Sequence, residues 1–218
     1  MHGTVRYCSR REALALGCMA AGLGLLAPLA TGAAVTPNTT LGPFYPMLKP
    51  LDSDADLTRI AGRTGRAKGE LLELVGRVLD RGGASVPGAS VEIWQADSRG
   101  RYTHPHDPNP AAPDTDFQGY GLQRTDDQGR YRFRTVKPAA YSFDGGMRTP
   151  HVHFQITSPR ERKVTQMFFP GEPLNEQDQI LRAVPRDPAR LIARIDASAP
   201  GVEPGAKLVT FDIVLMRG

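Results

Sequence analysis

The segment Arg148-Thr149-Pro150-His151-Val152-His153-Phe154-Gln155-Ile156 alternates apolar residues with polar ones at a period of two. That period belongs to a β-strand, in which side chains at i and i+2 leave the same face, so the imidazoles of His151 and His153 point one way. Two neutral imidazoles side by side suit a borderline metal such as iron, copper or zinc. They are equally the mark of two strand histidines with no ligand, and the rest of the chain has to decide between these readings.

Outward from this segment, short β-type runs are joined by glycine turns. Leu71 to Asp80 reads as a strand, Arg81-Gly82-Gly83 as a turn, and Ala89-Ser90-Val91-Glu92-Ile93-Trp94-Gln95 as the next strand. Asp97-Ser98-Arg99-Gly100 turns the chain into Arg101-Tyr102. After a polar, proline-rich loop, Asp126-Asp127-Gln128-Gly129 turns it into Arg130–Arg134. Lys163–Phe169 and Lys207–Leu215 follow. The pattern predicts an all-β fold, an antiparallel β-sandwich with long loops. Asp178–Val184 and Asp187–Ile195 read as short helices, the second with Asp187 as N-cap and Pro188 at its first position. The 19 prolines and 23 glycines agree with many turns and no long helix.

Ahead of the sandwich, assigned to residues 71–218, lie two further segments. Residues 35–70 form an extended arm whose one apolar cluster is Thr40-Leu41-Gly42-Pro43-Phe44-Tyr45-Pro46. Residues 1–34 read as an export signal. Ser9-Arg10-Arg11-Glu12-Ala13-Leu14 precedes a weakly apolar run, Leu14 to Leu29, that ends in small residues near Ala30–Ala34. The paired arginines resemble a twin-arginine signal, a route that carries folded proteins, so the expected location is periplasmic or extracellular. Both cysteines, Cys8 and Cys18, fall in this segment. The mature chain is therefore expected to have no disulfide and no thiolate ligand, and any metal must be held by nitrogen and oxygen.

The sequence pI of about 9.3 does not mark a nucleic-acid partner. Arg6, Arg10 and Arg11 against Glu12 account for half of the formal charge of +4, and the remaining basic residues are scattered among acids. Beyond the signal, no apolar run approaches membrane length.

A metal on His151 and His153 needs one or two more ligands. His104 and His106, in Tyr102-Thr103-His104-Pro105-His106-Asp107-Pro108, offer a second pair on an irregular loop. Tyr45, Tyr102, Tyr120, Tyr131 and Tyr141 offer phenolates, hard anionic oxygens that favour Fe(III). A free phenol titrates near ~10, so only a strong Lewis acid keeps it ionised at neutral pH. On the residues alone, a site of two histidines and two tyrosines is one arrangement among several.

Tyr102 in Trp94-Gln95-Ala96-Asp97-Ser98-Arg99-Gly100-Arg101-Tyr102, Tyr141 after Lys137-Pro138, and Arg148-x-x-His151-x-His153-Phe154 together resemble the intradiol ring-cleavage dioxygenases. The likeness extends through Gly76–Asp80, Asp116–Gly121, Thr125–Tyr131 and Thr165-Gln166-Met167-Phe168-Phe169-Pro170-Gly171, roughly residues 40–217 in order. Lacking a long helical N-terminal region, the chain looks more like the protocatechuate branch than the catechol-type dimers. The resemblance implies one Fe(III) per chain, held by Tyr102 and His151 as equatorial ligands and Tyr141 and His153 as axial ones. It implies Arg148 beside the substrate, Gln166 as a hydrogen bonder behind the ligands, Tyr141 as a ligand that leaves and takes a proton, and Pro43, Phe44 and Tyr45 as pocket lining. The implied substrates are a catechol and O2. Both oxygen atoms would be inserted to give a muconate-type diacid, and the oligomeric partner, a second copy or a different subunit, is left open.

The chain departs from the family pattern twice. Pro138-Ala139-Ala140-Tyr141-Ser142 stands where Pro-Gly-Pro-Tyr-Pro is common, and Phe143-Asp144-Gly145-Gly146-Met147 lacks a tryptophan often found before the arginine. Two rival readings are a non-enzymatic transthyretin-like binding module, and a zinc or copper enzyme using His151 and His153 with His104 or His106.

Overall fold

The computed structural model describes residues 32–196 and 201–218; the export-signal reading of residues 1–31 lies outside them. Within the described residues the strands are β1 (Leu71–Leu79), β2 (Ser90–Trp94), β3 (Tyr120–Arg124), β4 (Arg130–Val136), β5 (Tyr141–Phe143), β6 (Gly146–Arg148), β7 (His151–Thr157), β8 (Arg162–Phe168), β9 (Arg194–Asp196), β10 (Lys207–Thr210) and β11 (Ile213–Val214), with one short helix, α1 (Gln179–Arg182). The strand runs legible in the sequence are therefore present.

The strands make two facing sheets and a separate hairpin. One sheet has the order β3-β2-β7-β8 and is antiparallel throughout. The other is built on β1, which pairs antiparallel with β4 on one side. On its other side β1 pairs parallel with β10 and then with β11, and β9 lies outside β10. Leu72, Leu74, Val78 and Phe133 from this sheet and Val91, Ile93, Val152, Phe154, Ile156 and Met167 from its partner form one buried cluster. Burial of each such side chain stabilises the fold by about 1.5–3 kcal/mol.

The parallel pairs depart from a purely antiparallel sandwich. They arise because the chain returns to β1 from residue 207 by a long connection, which permits either direction, whereas a tight hairpin would impose antiparallel pairing. The single run read over Lys207–Leu215 is broken at Phe211-Asp212. There Phe211 N–H donates to Val75 O, and Asp212 Oδ1 accepts from Arg77 N–H. Asp178 does cap a helix, accepting from Ile180 and Leu181 N–H. Asp187 does not: its φ is 50°, its side chain makes no cap bond, and Pro188–Leu191 is only a 3-10 turn that gives way to β9.

The arm lies along the body. Thr36 N–H donates to Val214 O at 3.0 Å, and Val214 N–H returns a bond to Thr36 Oγ1 at 2.9 Å. The buried Lys163 ammonium donates to Thr36 O and Asn38 Oδ1. Further on, the buried Glu92 carboxylate of β2 accepts from Tyr45 OH, Tyr120 OH and Gln155 Nε2 and pairs with Lys49 at 2.9 Å. These anchors hold residues 40–49 over one face of the β2-β7-β8 region.

Candidate metal centre

Strand β7 is buried on both faces. Val152, Phe154 and Ile156 enter the core between the sheets, so His151 and His153 project from the opposite face. Register sets the neighbours of His153: Trp94 of β2 lies across from it on one side and Gln166 of β8 on the other. The Trp94 indole stacks on the His153 ring at 4.9 Å with 13° between planes. Gly42 of the arm closes the ring from outside, since a Cβ there would come within 2.9 Å of His153 Cε1.

The two tyrosines reach this face from loops that the fold ties together. Asp97 Oδ1 accepts from Arg99 and Arg101 N–H, and Tyr102 N–H donates to Asp107 Oδ2, which fixes the turn that presents Tyr102. Gly100, at φ 77°, lets that turn approach the next loop; a Cβ would meet Ala140 O at 2.6 Å. Tyr141 follows immediately on β5, and the rings of Tyr102 and Tyr141 lie 5.3 Å apart at 85°.

The polar atoms converge. His151 Nε2 is 3.2 Å from His153 Nε2 and 3.5 Å from Tyr102 OH. His151 Nδ1 lies 2.6 Å from Thr149 O, so this nitrogen carries the proton and donates it, leaving Nε2 as a bare lone pair aimed at the cluster. Tyr102, Tyr141, His151 and His153 are all buried. Burial depresses both imidazoles, His151 to about 3 with the Arg148 charge adding, and His153 well below its ordinary range with His151 adding. Burial likewise raises both phenols; contact between the two hydroxyls raises Tyr102 further and lowers Tyr141. The histidines are thus neutral and ready to ligate, while the phenols need a Lewis acid to ionise.

This donor set fits a ferric ion. Two ligands bound to one ion at about 2.1 Å stand roughly 3.0–3.6 Å apart for angles of about 90–120°, which brackets both observed separations. Two phenols and two imidazoles are also the hard, partly anionic mixture that suits Fe(III). Among the described residues, no group of three His, Cys, Asp or Glu side chains is placed to hold a metal. His104 does not join the cluster: its Nδ1 accepts from His106 N–H and its ring packs on Phe44, 5.6 Å away. His106 is exposed.

Arg148 and Gln166 sit at the edge of the cluster. Arg148 pairs in register with Tyr141 across the β5–β6 hairpin. Its guanidinium donates through Nε to Asp178 Oδ2 and through Nη2 to Gln166 Oε1, both at 2.8 Å. Gln166 Nε2 then donates to Thr40 O of the arm at 3.1 Å. Phe44 packs on Tyr102 at 4.7 Å and on Tyr141 at 6.1 Å. Tyr45 turns instead toward Glu92 and the edge of Trp94, and Pro43 is exposed. Sequence reasoning missed Asp178, Trp94 and Gly42 as parts of the site. Only a short helix beginning at Asp178 was local enough to read, and it did not disclose Arg148 as the partner of that carboxylate.

The Dioxygenase_C family (Dioxygenase) matches residues 41–217. The chain is also 43% identical over 178 residues to the protocatechuate 3,4-dioxygenase beta chain of Burkholderia cepacia, covering 77% of this chain and 73% of that one. This chain belongs to the intradiol ring-cleavage dioxygenases. Another intradiol dioxygenase, the hydroxyquinol 1,2-dioxygenase of Corynebacterium glutamicum, is 30% identical over 207 residues; the match takes in 84% of this chain and 64% of the relative. The dioxygenase domain of a dioxygenase–carbohydrate-binding protein fusion from Streptomyces sp. SirexAA-E superimposes with a TM-score of 0.62 at 26% identity, over 85% of this chain and all of that domain. Intradiol dioxygenases are iron-dependent oxidoreductases, which agrees with the donors assembled here and disfavours the non-enzymatic and zinc or copper readings.

Proposed function

We propose that this intradiol dioxygenase holds one ferric iron between Tyr102, Tyr141, His151 and His153 and cleaves a catechol between its two hydroxyl-bearing carbons. The observation that carries the reading is the convergence of two neutral imidazoles and a phenol within 3.5 Å, with Tyr141 packed beside them. Iron held there would supply Lewis acidity, enough to keep the phenols ionised and to activate a bound catecholate toward O2. The chain supplies the rest. Thr149 O orients His151 and fixes its tautomer. Tyr141, on a hairpin outside the main sheets, would be the ligand best placed to give way to a catechol, with its phenolate oxygen as acceptor for one catechol proton. Arg148, held by Asp178 and Gln166, presents positive charge where negative charge develops on the ring. Phe44 and Phe143, 5.5 Å apart, close the outer side and exclude water.

The product class is a muconate-type diacid containing both atoms of O2. Protocatechuate, catechol and hydroxyquinol are the candidate substrates, and a homo-oligomer or a second subunit completing the pocket is the expected assembly. The Arg10-Arg11 pair and the weakly apolar run after it support export by the twin-arginine route, to the periplasm or outside the cell. A red-brown colour from tyrosinate-to-iron charge transfer is expected, with bleaching in Tyr102→Phe. A colourless protein with full iron occupancy would overturn the ligand set. O2 uptake with the three catechols should vanish in His151→Ala and persist in His104→Ala.

A further inference from the structure

Thr149 is fully buried, and each of its three polar groups has a partner. Its carbonyl meets His151 Nδ1 at 2.6 Å, its N–H donates to Asp178 Oδ2 at 3.1 Å, and its hydroxyl donates to Asn175 Oδ1 at 2.9 Å. Thr149 and Pro150 lie between β6 and β7, outside both strands. Pro150 has no N–H with which to fix the peptide plane that carries the Thr149 carbonyl. The direction of that carbonyl therefore depends on the other two bonds of Thr149.

Both of those bonds end in the connection from β8 to α1, residues 169–178. Asn175 is itself held there: its Nδ2 donates to Phe169 O at 2.7 Å, and its own N–H to Glu172 O at 3.1 Å. Asp178 N–H donates to Leu174 O at 3.0 Å. An ion pair between Glu172 and Lys137 ties the same connection to the segment that leads into Tyr141. The partner of one imidazole nitrogen decides which nitrogen keeps the proton and how the ring is turned, and so sets the quality of the other as a ligand. We propose that Asn175 is a positioning residue for His151. By holding the Thr149 hydroxyl it keeps the Thr149 carbonyl on Nδ1–H, and Nε2 stays a bare lone pair turned to the cluster. Asn175 acts only through Thr149, since its side-chain bonds go to Thr149 and Phe169. The inference rests on the proposed ferric site for its consequence, but its first readout needs no metal.

The test compares the unaltered protein with Asn175→Ala, Thr149→Val and Thr149→Ser. Two quantities are read: the ring 15N signals of His151 in metal-free protein labelled with [15N]histidine, which tell a protonated nitrogen from a bare one, and the iron affinity, by competition with a chelator. The unaltered protein should carry the His151 proton on Nδ1 alone. In Asn175→Ala and in Thr149→Val the signals should move toward a mixture of the two tautomers, and iron should bind about tenfold more weakly. Thr149→Ser keeps the hydroxyl and should restore both values. A residue with a merely structural role would lower the melting temperature and leave the tautomer alone. Asn175→Ala that keeps either the pure Nδ1–H signal or the unaltered iron affinity would therefore overturn the proposal. A His151 proton on Nε2 in the unaltered protein would overturn it too, and that result needs no variant to fold. An unaltered protein that binds no iron would sink the ligand reading instead, while the metal-free tautomer shift would still decide the role of Asn175.

Discussion

Arg148 is 4% exposed, and its charge is tolerable there because the equally buried Asp178 lies 2.8 Å away. Burial acts to raise the Asp178 pKa, but the Arg148 guanidinium and the amides of Leu181 and Thr149 outweigh it and hold the carboxyl below its ordinary range. Removing one partner leaves the other charge buried and alone. Asp178→Leu is therefore expected to cost about 3–5 kcal/mol in urea denaturation. Arg148→Lys keeps the charge but loses the two-pronged hold on Asp178 and Gln166. It should lower kcat for catechol by about 10²–10³-fold while the visible band remains, which separates a role toward the substrate from a role in holding iron. The part of this site that was legible is the His151–His153 pair, because strand periodicity fixes a common face from sequence alone. The Arg148–Asp178 pair was not legible, since thirty residues and a change of element separate its members.

Among the elements, β7 and β1 could be read because each carries a long apolar alternation. Strands β3, β5 and β6 could not, because they are short, β3 and β6 contain glycine, and all three become strands through their partners. The β5–β6 hairpin did leave one local sign: Asp144-Gly145 is a two-residue turn with φ 50° and 74°, the conformation that Asp-Gly pairs favour. Tyr102 and Tyr141 are brought together by the approach of Gly100 to Ala140, a tertiary contact with no periodic signature. At this scale β1 and β4 also carry a pH response. Glu73 of β1 is buried under Arg132 and Arg134 of β4. Burial acts to raise its pKa, and the two guanidiniums outweigh this and lower it below the ordinary 4.5. The folded state then binds fewer protons than the unfolded state in that range. The stabilisation is present above about pH 4.5 and lost as pH falls through the depressed value. Glu73→Gln should flatten the acid limb of a stability–pH curve by at most about one proton, as measured by denaturation at a series of pH values.

For the whole molecule, the arm is first stitched to the body, among the described residues, at Thr36. A chain starting at Val35 should therefore fold, load iron and melt within about 2 °C of the full-length protein, because no anchoring bond described here precedes Thr36. A large loss of stability would show that the preceding residues belong to the body. The parallel pairing of β1 adds a consequence in time. Residues 72–75 find one neighbour at 132–135 but the other only at 207–210, and Thr36 finds its partner at Val214. During synthesis β1 must wait, one edge bare, for about 130 further residues, many seconds at ordinary elongation rates. The closing seam is made by residues synthesised well over a hundred positions after the strand they complete. A nascent chain of this enzyme therefore cannot complete this sheet until residues 207–214 have left the ribosome, so its two halves are joined late in time as well as far apart in sequence.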